Sequence, residues 1–263
     1  MSQNWCAQSG GGSGGSIWVQ TNHLTGTGTI QANGGYPWGG GGRIAIEHTT
    51  SSFTGQVQAF GTYGPPGTVY WKPDDKLVVD NNGDGTGAAS FPDGSYSFSK
   101  IELKHHGNLT LPGDYTLTSN NIVGDGTSNF VKVGGVFNAP QDLTLNGFYM
   151  VMNNNLVGAK NLTLNNQAFL EYHPDAQNHT FKFDTISLQN GSALYLYPYN
   201  NGDQDYTNDK PVIVDVGNLS IDATSRISSD KTGYSSGTGP GVSNNGGEYG
   251  GFVDGWNGKP YGS

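Results

Sequence analysis

One phrase returns along the middle of this chain, and it constrains the fold more than any other feature. It reads Ile101-Glu-Leu103 followed by His106-Gly-Asn-Leu109-Thr-Leu111. It comes back as Leu143-Thr-Leu145 with Asn146-Gly-Phe-Tyr149-Met-Val151, and as Leu162-Thr-Leu164 with Asn165-Asn-Gln-Ala168-Phe-Leu170. Two more copies are Ile186-Ser-Leu188 with Asn190-Gly-Ser-Ala193-Leu-Tyr195, and Leu219-Ser-Ile221 with Asp222-Ala-Thr-Ser-Arg226-Ile-Ser228. Each copy is a short strand, a polar corner and a second short strand. Successive copies start 42, 19, 24 and 33 residues apart. A coil of a parallel β-helix takes about 20–25 residues, so these gaps read as one or two coils, some with insertions. A single coil cannot bury its Leu/Ile row, whereas stacked coils merge those rows into one apolar column. Asn suits the corners because it tolerates left-handed backbone. No stretch keeps a 3.6-residue apolar period, so the expectation is almost no helix. The fold class expected is all-β, a parallel β-helix (β-solenoid) with glycine-rich flanking segments. The alternative is a β-sandwich, with regular strands joined by ordinary hairpins.

Composition narrows the class of function. Gly supplies 43 of 263 residues, charged types only 13% and apolar types 33%, against a usual share of about 7% Gly and 25% charged. Disorder normally brings high charge and few aromatics, but this chain holds 14 Tyr, 11 Phe and 5 Trp in short alternating runs. With a net charge of −9 and 12 Lys+Arg, it lacks the basic patch that nucleic acid or anionic lipid requires. No run of 18 apolar residues is present, so no membrane insertion is expected. The lone Cys6 excludes an internal disulfide and a zinc-thiolate cluster.

Three regions follow: a glycine-rich β region over 1–98, solenoid coils over 99–229, and a glycine-rich tail over 230–263. The first carries strands such as Ser16-Ile-Trp-Val-Gln20, Arg43-Ile-Ala-Ile-Glu47 and Gly67-Thr-Val-Tyr-Trp71 between Gly clusters. The run SGGGSGGSIWVQ, then GTGTIQANGG, GGGGRIAIEHTTSSFTGQVQAFG and PPGTVYWK, resembles glycine-rich β-helix-type repeat segments of very large secreted bacterial and protist surface proteins, adhesin-like in character. The tail LSIDATSRISSDKTGYSSGTGPGVSNNGGEYGG resembles the lead-in to a next unit. The resemblance covers about the first 85 and last 45 residues. It implies an extracellular or cell-surface setting, with neighbouring repeats of the same polypeptide as partners, and it transfers no catalytic residue.

The candidate sites come from the residues themselves. Asp80, Asn82 and Asp84 with Gly85 have the D-x-N-x-D-G spacing of half an EF-hand loop, with Asp93 as a further oxygen donor for Ca²⁺. Asp203, Asp205 and Asp209 form a second acidic loop of the same kind. Tyr195, Tyr197 and Tyr199 alternate and are expected on one outward face, with Tyr172 joining them from an earlier coil. Such a strip stacks on the apolar face of a sugar. Tyr36 and Trp38, in a Gly-rich loop, are candidates for the same chemistry. Glu171, His173 and Asp175 alternate in LEYHPD and are the catalytic candidates, since a carboxylate beside an imidazole can do acid–base work. The function expected is an extracellular structural or adhesive repeat module that binds a polysaccharide or cell-surface glycan. The alternative is a β-helix polysaccharide-active enzyme, a glycoside hydrolase or lyase.

Overall fold

The computed structural model describes residues 10–82, 86–91, 94–113, 115–127, 129–153, 156–175, 177, 179–199 and 210–230. Among these it is all-β, without a helix, and it is a parallel β-solenoid of about seven turns. The chain enters through β1 (Ser16–Gly26) and β2 (Thr29–Gln31) and repeats them as β3 (Arg43–Phe53) and β4 (Gln56–Gln58). A hairpin of β5 (Thr68–Lys72) and β6 (Lys76–Asp80) follows. From there three strands make a turn: β7 (Ser95–Ser97), β8 (Lys100–Lys104) and β9 (Asn108–Leu111), then β10 (Thr116–Thr118), β11 (Asn121–Gly124) and β12 (Phe130–Val133). The next two turns are β13 (Val136–Asn138), β14 (Leu143–Asn146) and β15 (Tyr149–Asn153), then β16 (Leu156–Val157), β17 (Asn161–Asn165) and β18 (Phe169–His173). The last are β19 (Thr180–Leu188) with β20 (Ala193–Leu196), and β21 (Ile213–Ile221) with β22 (Arg226–Ser228).

These strands stack into three main sheets. The first runs β1-β3-β5-β6-β8-β11-β14-β17-β19-β21, the second β16-β13-β10-β7 and the third β22-β20-β18-β15-β12-β9. The apolar column expected from the phrase is present. Leu77, Ile101, Ile122, Leu145, Leu164 and Leu188 are successive partners in register, and none exceeds 1% exposure. Fully burying one such side chain is worth about 1.5–3 kcal/mol, and the stack repeats that gain at every rung. The same row ends on β21, where Ile221 regains solvent.

The corners explain the polar spacing. Between the first and third sheets the backbone turns through left-handed residues: His105 and His106, Gly147, Asn166 and Gln167, then Asn190 and Gly191. Asn and Gly adopt that conformation with least strain. Asn190 also donates its Nδ2 to Asn165 Oδ1 at 2.7 Å, linking adjacent coils.

The gap of 42 residues between the first two phrase copies holds an extra coil, because Ile101 pairs with Ile122 and Ile122 with Leu145. The first sheet also crosses residue 98 without interruption, since β6 pairs in parallel with β8. The break in the architecture falls earlier, at the antiparallel β5–β6 hairpin. There the core divides into a small group around Ile44, Ile46 and Val69 and the long column that starts at Leu77. The glycine-rich coils below the hairpin pack by backbone: a Cβ on Gly41 would sit 2.0 Å from the Ala59 carbonyl oxygen, so no other residue fits there.

Candidate functional site

The outward face of the third sheet brings partly exposed aromatic and ionisable side chains together. Period-2 alternation sends Leu109, Val131, Met150, Leu170 and Leu194 inward as one row. The residue before each, with Arg226 before Ile227, lies on the opposite side of its strand, giving Asn108, Phe130, Tyr149, Phe169, the fully buried Ala193 and Arg226 as a register row. Phe130 and Tyr149 stand 5.3 Å apart by ring centroids. The next outward row runs Thr110, Lys132, Val151, Glu171, Tyr195 and Ser228. Phe169 and Tyr195 approach across the two rows at 6.3 Å.

Glu171 sits at the centre and is shared among donors. The Tyr197 hydroxyl donates to its Oε1 at 3.1 Å, His173 Nε2 lies 3.3 Å from its Oε2, and the Tyr149 hydroxyl bonds it as well. Burial first, and then these bonds to a carboxylate, push the Tyr149 and Tyr197 phenols above their ordinary pKa, so both stay protonated donors. His173 stacks on Tyr197 at 4.1 Å with planes 19° apart. At the far end the Arg226 guanidinium donates to the Tyr195 hydroxyl at 2.6 Å and covers that ring at 5.6 Å.

An open depression of about 690 Å³ lies between this face and the corner beside it. Tyr149, Phe169 and Tyr195 line one side, and Asp125, Asn129 and Asn166 line the other. Asp125 is spent on its own corner: it accepts from the His105 and Thr127 backbone N–H groups and from the Thr127 hydroxyl. Burial opposes the Asp125 charge, but these bonds outweigh it and hold its carboxyl below the ordinary range. Asn129 is fully buried, and its Nδ2 has no hydrogen-bond partner among the described residues.

The sequence-based candidates fare unevenly. Glu171, His173, Tyr195 and Tyr197 come together on this face. Tyr172 does not. It pairs with Leu196 and Met152 in an inward row, is 3% exposed and packs on Phe181 at 4.7 Å. Its phenol is pushed up to about 12, by burial first and then by Asp175. It is a core residue because it shares strand parity with Leu170. Asp175 also leaves the group: β18 ends at His173, and the Asp175 Oδ1 accepts from the Gln177 N–H at 2.8 Å in its own turn. Tyr199 lies beyond β20 and bridges to Lys210. Tyr36 and Trp38 lie outside this face, in the glycine-rich coils, 74% and 61% exposed.

Of the first calcium loop, the Asp80 Oδ1 is engaged by the Asn82 N–H at 2.9 Å and by His105 Nδ1 at 3.0 Å. Asp84 and Asp93 lie outside the described residues, as do Asp203, Asp205 and Asp209. Among the described residues no group of three or more His, Cys, Asp or Glu side chains converges to hold an ion.

Phe130, Tyr149, Phe169 and Arg226 escaped the reading of the sequence. Aligning the phrases on their inward Met150, Leu170 and Leu194 places Tyr149 beside Phe169 and would have found the row. The fold and this face together define a parallel β-solenoid with an aromatic, polar-rimmed outer surface. Comparison with protein families, curated proteins and solved structures finds no match for the chain.

Proposed function

We propose that this chain is a rigid structural module that binds polysaccharide along the outward face of its third sheet. The observation that carries the reading is the register row Phe130, Tyr149 and Phe169, three aromatic rings on consecutive coils with Tyr195 beside them. Coils repeat every ~4.7–4.9 Å, so the row offers ring faces along the stack axis to an extended polymer. A pyranose has an apolar C–H face and a rim of hydroxyls. The rings suit the first, and the exposed Asn166 and Gln167 suit the second. Low charge and abundant Gly fit the extracellular or cell-surface adhesive setting expected from the sequence, with neighbouring units of the same polypeptide in line.

Binding is favoured over polysaccharide cleavage by the state of the carboxylates. A glycosidase needs two carboxyl groups ~5–10 Å apart, poised to give and take protons. Glu171 is held by two tyrosine hydroxyls and an imidazole, and Asp125 by its own corner. These bonds fix rings and backbone. The test is retention of the purified chain on insoluble polysaccharides, with and without calcium, while the supernatant is assayed for new reducing ends. Retention without release supports the binder; release of reducing ends without retention sinks it.

A further inference from the structure

A separate set of rings stands on the glycine-rich coils. Tyr36, Trp38 and Tyr63 are 74%, 61% and 44% exposed. Tyr63 touches both others, with centroids 5.8 Å from Tyr36 and 5.7 Å from Trp38, and planes tilted by 63° and 51°. Two of the three hold left-handed backbone, Trp38 at φ 68° and Tyr63 at φ 56°, a conformation that costs free energy for any bulky L residue. Their exposure costs more, since large aromatics gain by burial. The base beneath them is locked: Gly39 bridges to Thr62 and Tyr63, and a Cβ on Gly64 would lie 2.7 Å from the Gly39 carbonyl oxygen. Strain and exposure together at one fixed spot point to a ligand outside the chain.

The size and charge of the patch select that ligand. At these exposures the three rings offer roughly 350 Å², well below the ~800 Å² per partner of a stable protein interface. Residues 33–42 and 59–68 contain no charged side chain, so an ionic ligand finds no counter-charge among them. We infer that Tyr36, Trp38 and Tyr63 form a second, independent site for the apolar face of an uncharged sugar ring, with the bare glycine backbone supplying partners for its hydroxyls. This site uses none of the residues of the third sheet.

The test pairs Trp38→Asn with Tyr63→Asn in the full chain, because Asn accepts left-handed backbone and removes only the ring. The probes are particles of cellulose, chitin and mannan. The background is both the wild type and a Phe169→Ala/Tyr195→Ala chain. The expected result is retention about tenfold weaker on at least one polymer in both backgrounds, with a melting temperature equal to or above the parent's. Four results overturn the inference: no retention of the parent on any polymer, retention unchanged by the Asn pair, a melting temperature that falls with the rings, or loss of binding to uncharged phosphatidylcholine vesicles instead. If the Asn pair abolishes retention and the Phe169→Ala/Tyr195→Ala pair does not, this site stands and the third-sheet reading fails.

Discussion

Glu102 makes the interactions of the first sheet measurable. Its side chain is 17% exposed and faces three lysines: Lys100 at 2.7 Å, and Lys76 and Lys104 each at 3.7 Å. Lys76 and Lys100 are direct cross-strand partners, and like charges in that position repel. The carboxylate is what lets them sit together. Burial opposes its charge, but the Lys100 hydrogen bond and the three positive charges outweigh this and hold its pKa below the ordinary value. Glu102→Gln keeps the shape and removes the charge. Partly exposed pairs are each worth ~0.2–1 kcal/mol, and the released repulsion adds to their loss. The expected cost is about 1–2 kcal/mol in total, or a melting temperature lower by about 2–6 °C in a chain of this size.

The sign of the pH dependence follows from the lowered pKa. A group whose pKa is lower folded than unfolded contributes stability above its unfolded pKa, and that stability is lost as pH falls through the folded value. The wild type should therefore shed this contribution below about pH 4, while the Gln variant has none to shed. The assay is thermal unfolding of both proteins by circular dichroism near pH 7 and near pH 3, at low salt and at about 1 M salt, where the Debye length shrinks to ~3 Å. The curves should differ at neutral pH and converge at acid pH, and the gap should narrow with salt. A deficit that is the same at both pH values would refute the electrostatic reasoning and leave a packing effect in its place.

Other outcomes follow from the same geometry. Leu164→Ala, in the fully buried column, should cost about 2–4 kcal/mol in urea unfolding, whereas outward Thr163→Ala should stay within ~0.5 kcal/mol; equal costs would mean the column is not the core. Asn190→Ala puts a residue less tolerant of left-handed backbone at φ 54° and drops the bond to Asn165. It should lose ~1–2 kcal/mol, with Asn190→Gly losing less. Phe169→Ala should weaken polysaccharide retention about tenfold with little change in stability, and Tyr172→Phe should leave retention untouched because that ring faces inward. Glu171→Gln should keep retention within about threefold, since the amide oxygen can still accept from the Tyr197 hydroxyl. An abrupt loss of a measured cleavage activity in that variant would favour the enzyme.

The solenoid was legible because its two requirements leave separate marks. Burial imposes Leu-x-Leu alternation, and the corner imposes residues that tolerate positive φ. Both are properties of single residues, so they survive in one sequence. The coil that went unseen is the one where each mark is weak. At the register position of Leu103 it carries Gly124, because a Cβ there would lie 2.3 Å from the Gly147 carbonyl oxygen. Its corner, from Asp125 to Asn129, is also longer than the others. The reversal at β5–β6 is a different case. Only Pro73, Asp74 and Asp75 separate the two strands. A parallel crossover needs a dozen or more residues, so strands joined by three can pair with each other only as an antiparallel hairpin. The equally short corner between β8 and β9 instead passes the chain to another sheet, so link length alone does not mark the reversal.

The site divides along the same line. Glu171 with His173, and Tyr195 with Tyr197, lie on one strand or its continuation, where alternation alone assigns the face. Parity also assigns Tyr172, together with Leu170, to the inside, and its phenol argues for the surface only by chemical type. Packing settles the contest: an inward row must be filled at every rung, and Tyr172 fills the place between Met152 and Leu196. The aromatic row is different in kind. Phe130, Tyr149 and Phe169 are about 20 residues apart in sequence and adjacent in space, each at the first position after a corner whose length varies. In a solenoid the surface is built from rows that cross coils, while the sequence is read along them. A binding face of this type emerges only when copies are aligned on their buried positions, because those are the positions the core holds in register.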